Sequence, residues 1–222
     1  DNVKLESASE ISTNGVVRIS VTGNVLSSTN SHITAGQLGI SATGDVDLQG
    51  DNAAGTLAIN AGGSVDFNNT IGLTIDAVSA QGPFPATSGV TGDGNVTINV
   101  VDSAAATDDL TVNTGVTVQS TSGNIELTVG DDVVINGNLT APSGTVTINV
   151  DPSAGDPDTV GGTVDIASAS VTTTSGGATL NGGDDNDTFN FAPQATTTFN
   201  VDGNPPVFSD GPPAVPPGDT LH

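Results

Sequence analysis

The stretch GNVTINV, Gly94–Val100, places Val96, Ile98 and Val100 on one face of an extended chain and Thr97 and Asn99 on the other. One face is dry and the other wet. GNIELTV, Gly123–Val129, repeats the pattern with Ile125, Leu127 and Val129. The same unit recurs as GDVDLQG, GSVDFNN, GLTIDA, GTVTINV and GTVDIAS. Its first aliphatic falls at Val25, Val46 and Val65, spaced 21 and 19 residues apart, and again at Ile125, Val146 and Val164, spaced 21 and 18. Further strands begin at Leu38, Leu57 and Val133. An antiparallel sandwich would use similar half-buried strands, but Asn-Gly hairpin dipeptides occur only at Asn14, Asn136 and Asn181, and a sandwich gives no reason for the period. The expected fold is therefore all-β, a parallel β-helix (β-solenoid) with coils of about 20 residues, each burying its aliphatics against the next.

Composition agrees with thin, repetitive cores. Only 3% of the residues are aromatic, and Trp, Tyr, Met and Cys are absent, so the interior must be built from Val, Ile, Leu and Ala. No apolar run approaches the roughly 18 residues that a membrane helix needs, which argues against membrane insertion. Lys4 and Arg18 are the only fixed cations against 25 acids, for a formal charge of −23. Such a field repels nucleic acid and anionic membranes. Of the acids only Glu6, Glu10 and Glu126 are glutamate; the rest are Asp, the short carboxylate that favours turns and ligates hard cations. The absence of Cys leaves the redox compartment open. A first residue of Asp rather than Met suggests a mature product or an excised piece.

Three stretches rich in Pro, Gly and Asp interrupt the period: Ser79–Gly94, Asp151–Gly162 and Gly203–Gly218. Insertions of this kind emerge from solenoids as solvated bulges or binding loops. The closely spaced prolines of the third read first as a stiff linker. The expected organisation is a solenoid over residues 1–202, followed by a Pro-rich linker or inter-subunit strand segment over 203–222.

The GNVTI, GNIEL and GTVTI units, over most of Val16–Val171, resemble the coils of secreted bacterial parallel β-helix surface proteins: the filamentous-haemagglutinin type of adhesin and other giant repetitive surface proteins. The resemblance implies a right-handed β-helix, export to the cell surface and a role as stalk, fibre or adhesin; it identifies no receptor, and cell-surface polysaccharide is a separate candidate partner. A second stretch, GGDDNDTFN at Gly182–Asn190, is similar to the calcium-binding nonapeptide of RTX proteins. Gly182 and Gly183 stand at its glycine pair, Asp187 at its ligand aspartate and Phe189 at its inward apolar position; Asp185 stands where that family has glycine. The resemblance implies calcium held by Asp187, with Asp184 and Asp185 of the same acidic turn as further candidate ligands. An acidic turn before a strand is the alternative, since one copy supplies half a site between successive turns. Asp151, Asp156 and Asp158 in DPSAGDPD form a separate candidate pocket for the same cofactor, calcium, with a plain surface loop as the other reading.

Parallel β-helices also host pectin-degrading enzymes, and GDD at Gly130–Asp132 resembles the paired-aspartate element of polygalacturonases, where two carboxylates divide acid and base work. A carbohydrate-active β-helix is thus the alternative function. Its companions are missing: there is no Gly-His-Gly element and no Lys or Arg after Arg18 to hold an acidic sugar. Asp131 and Asp132, like Asp108 and Asp109 in TDD, read better as charged turns, and no catalytic residue is nominated. His32 and His222 lack zinc-ligand spacing to any His or Cys. The sequons at Asn68, Asn95, Asn138 and Asn186 are expected by chance in a chain rich in Asn and Thr. The expectation is an extracellular, non-enzymatic structural or adhesive module. It would associate end to end as a homo-oligomer or filament, because a solenoid's terminal coils expose unpaired backbone and apolar column ends.

Overall fold

A computed structural model describes residues 1–152, 160–166, 170–173, 176–183, 186–192, 194, 196–203 and 220–221. Among these there is no helix, and apart from one short antiparallel pair the strands stack in parallel around one axis in three walls. The first wall carries the column Val3, Val25, Val46, Val65, Val96, Ile125, Val146, Ala178 and Phe199, each paired in register with the next. The second runs Leu73, Leu110, Val133, Val164, Phe189 and Leu221. The third runs Ile19, Ile40, Ile59, Val90, Val118, Leu139 and Val171. Period-two alternation sends one side chain of each pair inward, and the columns that result, such as Leu48, Phe67, Ile98, Leu127, Ile148 and Leu180, are fully buried.

One sequence interval proves misleading. Val164 lies 18 residues after Val146 but belongs to the second wall, between Val133 and Phe189, whereas the partner of Val146 on the first wall is Ala178. The repeating unit is the same on every wall, so spacing alone assigns it to the wrong one.

The Gly-Asn and Gly-Asp pairs that open first-wall strands have a specific cause. Asn24 Oδ1 accepts the N–H of Asp45 at 2.9 Å, and Asp45 Oδ1 accepts that of Ser64 at 2.9 Å. Farther along, Asn95 Oδ1 accepts the N–H of Asn124 and Asn124 Oδ1 that of Thr145, both at 3.0 Å. Each side chain reaches its neighbour across the preceding glycine of the next coil. A Cβ on Gly44 would overlap Asn24 Oδ1, and one on Gly123 would overlap Asn95 Oδ1. Glycine clears the path and Asn or Asp supplies the acceptor.

The corner between the first and second walls is polar and buried. In the early coils it is held by Asn52, which is fully buried. Its Oδ1 accepts the Ile33 N–H at 2.9 Å, and its Nδ2 donates to Leu48 O at 2.9 Å, Gly50 O at 3.0 Å and Asn68 O at 2.9 Å. Asn69 does the same one coil later, accepting from Ala54 N–H at 2.8 Å and donating to Ile71 O at 2.7 Å.

The first insertion is a docked flap. Ala77–Val78 and Thr87–Ser88 form an antiparallel pair, and Val78 and Phe84 are buried with Ala58 on the outside of the third wall. Gly39 leaves the space, since a Cβ there would overlap Phe84 and Val78. Arg18 pins the flap, donating to Ser79 O at 2.9 Å, Ser79 Oγ at 3.1 Å and Gln81 Oε1 at 2.6 Å. One of the two fixed cations is therefore consumed by architecture. Of the other insertions, residues 153–159 and 204–219 lie outside the described residues. The last strand, Thr220–Leu221, pairs with Thr188–Phe191 of its own chain.

Candidate functional site at the acidic corner

From Asp108 onward, the corner that Asn52 and Asn69 occupy in the early coils is built from carboxylates. The two residues before the first aliphatic of each second-wall strand align as Asp108–Asp109, Asp131–Asp132, Gly162–Thr163 and Asp187–Thr188. Asp131 Oδ2 accepts the Asp108 N–H at 2.6 Å, Asp109 Oδ1 the Asp132 N–H at 3.2 Å, Asp132 Oδ1 the Thr163 N–H at 2.8 Å and Asp187 Oδ1 the Gly162 N–H at 2.9 Å. Each carboxylate thus stitches its coil to a neighbouring one. Asp108, Asp131, Asp151 and Asp187 are all buried. Burial pushes the Asp109 carboxyl above its ordinary value; the charges of Asp132 and Asp108 push the same way, and the bond to the Asp132 backbone opposes them.

The glycine pair of GGDDNDTFN is explained by close approach. A Cβ on Gly182 would overlap the Asp187 carboxylate, and one on Gly183 would overlap the Asp151 carbonyl. Gly182–Gly183 therefore runs between Asp151 and Asp187, two candidates that the sequence separates by 36 positions. Asp151 itself turns the chain with a left-handed φ of 48°, which Asp tolerates better than most residues, and donates its N–H to Val129 O at 3.0 Å. Asp184, Asp185, Asp156 and Asp158 lie outside the described residues. Among the described residues no group of three or more His, Asp or Glu is placed to hold a metal ion.

A second acidic group, not singled out from sequence, lies on the outer face of the first wall. Asp47 and Asp66 are register neighbours, with Thr97 and then Glu126 farther along the same column. They border a shallow depression of about 270 Å³ lined by Leu26, Asp45, Asp47, Ser64 and Asp66. Burial raises the Asp66 carboxyl, with smaller contributions from Asp47 and Glu126, against the lowering effect of the Gln49 Nε2 bond at 2.9 Å. The signal lay in GDVDLQG and GSVDFNN, which carry Asp at the same outward position. Beside it runs an amide ladder: Asn99 donates to Asn68 Oδ1 at 2.6 Å and Asn181 to Asn149 Oδ1 at 2.8 Å, so the Asn68 sequon is engaged within the wall. His32 faces Glu10 at 3.7 Å.

No protein-family model matches the chain, and no match is found among curated proteins or solved structures.

Proposed function

We propose that this chain is an extracellular structural or adhesive β-solenoid module. It is right-handed, with coils of about 20 residues lengthened by insertions, and works by end-to-end association as a fibre or as part of a longer repetitive surface protein. The observation that carries the reading is the first-wall column from Val3 to Phe199, paired in register from coil to coil along one axis. Right-handedness follows the strong preference of parallel strand connections. The enzymatic alternative is disfavoured by the use of Asp131 and Asp132: an oxygen of each accepts a backbone N–H of an adjacent coil.

Calcium-stabilised acidic turns belong to the same reading. Buried carboxylates at Asp108, Asp131, Asp151 and Asp187 share a chain with no Lys or Arg after Arg18, so a hard cation is the natural counter-charge. Electron microscopy with and without calcium tests shape and assembly together; compact, unassociated particles under both conditions would overturn the reading. Calcium at a hundredfold excess over its Kd should raise stability by about 2.7 kcal/mol if it binds the folded state alone. Asp187→Asn and Asp131→Asn should remove most of that gain while keeping an oxygen for the backbone bond. A melting temperature indifferent to both calcium and chelator would leave only an acidic turn.

A further inference from the structure

We propose that the carboxylates of Asp108 and Asp131, stacked one coil apart at the entry to the second wall, hold a calcium ion between two successive coils. This rests on the calcium reading above and assigns one site within it, away from the stretch GGDDNDTFN. The two residues before each second-wall aliphatic alternate in direction. Asp108, Asp131, Gly162 and Asp187 are buried, whereas Asp109, Asp132, Thr163 and Thr188 are half-buried on the outer side. The buried four form one inward column, each two positions before an inward Leu110, Val133, Val164 or Phe189.

Two of the three carboxylates in this column each take a backbone amide one coil upstream: Asp131 Oδ2 accepts the Asp108 N–H at 2.6 Å, and Asp187 Oδ1 the Gly162 N–H at 2.9 Å. Asp108 breaks the rule. It is 3% exposed, its Oδ2 is buried, and among the described residues nothing donates to that oxygen. A buried carboxylate oxygen calls for a donor or a cation, and no Lys or Arg follows Arg18 in the chain. The next carboxylate in the column is that of Asp131, held against the Asp108 main chain by the 2.6 Å bond and by its own N–H to Asp108 O at 3.3 Å. Adjacent coils stack about 4.8 Å apart, about twice a calcium–oxygen distance of about 2.4 Å, so one ion spans carboxylates on neighbouring coils. Among the described residues no third His, Asp or Glu joins the pair, so backbone carbonyls and water complete the shell, as calcium allows. Residues 104–107, the loop that leads into Asp108, are exposed and give the ion a route from solvent.

Calorimetric titration of the full chain with calcium, after stripping with chelator, reads the affinity, and thermal melting followed by circular dichroism in chelator and in excess calcium reads the stability. Asp108→Asn and Asp131→Asn, which each keep one side-chain oxygen, should both weaken calcium binding at this site by about tenfold or more, and the double variant should lose little beyond either alone. Asp47→Asn, which removes one charge from the outer face of the first wall, should bind calcium as the parent does. The melting temperatures of parent and Asp108→Asn should cross: the variant melts higher in chelator, where it leaves no buried charge unmatched, and lower in calcium. If Asp108→Asn fails to fold, Asp131→Asn, whose remaining oxygen still serves the Asp108 amide, decides in its place. Calcium affinity and calcium-induced stabilisation that survive unchanged in the variant would overturn this site while leaving the calcium reading standing. A parent chain that gives no heat of binding and melts at one temperature in chelator and in calcium would overturn both.

Discussion

Replacing Asn52 by Leu, a side chain of nearly the same size, isolates the contribution of the buried polar corner. The change leaves the Ile33 amide and the carbonyls of Leu48, Gly50 and Asn68 without the Asn52 amide group. Asn has two N–H groups for three acceptors, so one bond is shared, and backbone carbonyls tolerate the loss of one partner better than amides do. Counting the Ile33 amide and one or two carbonyls as unsatisfied at about 1 to 3 kcal/mol each, offset by about 1.5 to 3 kcal/mol from burying Leu, gives a net loss of about 3 kcal/mol. That is a large part of a typical stability of about 5 to 15 kcal/mol. Asn52→Asp should cost more at neutral pH, since it sets a buried carboxylate against three carbonyls, and should recover as the pH falls. Denaturant unfolding followed by circular dichroism gives the global figure. Hydrogen exchange at the Ile33 amide gives the local one, which matters because a solenoid can open coil by coil. If Asn52→Leu lies within 1 kcal/mol of the parent and the Ile33 amide keeps its protection, the corner does not hold the early coils together.

The folded state binds protons at Asp66 and Asp109 more tightly than the unfolded chain, both carboxyls being raised above 3.8, so their contribution is most favourable below that value and is lost as pH rises through the raised folded values. Melting temperature should therefore climb on going from neutral to weakly acidic pH, with a flatter profile in the double variant Asp66→Asn/Asp109→Asn; an unchanged profile would refute the assignment. Gly44→Ala should lose about 1 to 3 kcal/mol through the clash with Asn24 Oδ1, and less when Asn24→Ala is already present, so an additive double-mutant cycle would argue against the ladder. Phe84→Ala and Arg18→Ala should expose the flap around Gln81–Pro85 to limited proteolysis while leaving protection of first-wall amides in place; equal loosening of both regions would show that the flap is part of the main cooperative unit.

The walls were legible in the sequence because period two is a local property: Val96, Ile98 and Val100 need no knowledge of their neighbours to be read as inward. What the period could not tell was which wall a unit joins. GTVTINV and GTVDIAS look alike, yet Val146 stacks on Ile125 in the first wall and Val164 on Val133 in the second. The intervals that matter, such as Val65 to Val96 or Val146 to Ala178, are stretched by insertions whose length no local pattern fixes. Asp47 and Asp66 escaped notice for a related reason, since each looks like an ordinary solvated residue until the register sets one against the other. The acidic turns were visible as turns, but the partners of Asp131 and Asp187 are amides on other coils, 23 and 25 positions away. Those bonds also separate two roles that sequence merges. In the first-wall ladder Asn24 and Asp45 do the same work, each accepting one N–H of the next coil, so a carbonyl oxygen is sufficient and charge is unnecessary. At the early second-wall corner Asn52 and Asn69 likewise suffice. Stitching coils together therefore does not by itself explain a carboxylate at Asp109, where burial and the charges of Asp132 and Asp108 work against the ionised form. That unexplained charge, rather than the hydrogen bonds, is the physical basis for seeking a cation at this corner.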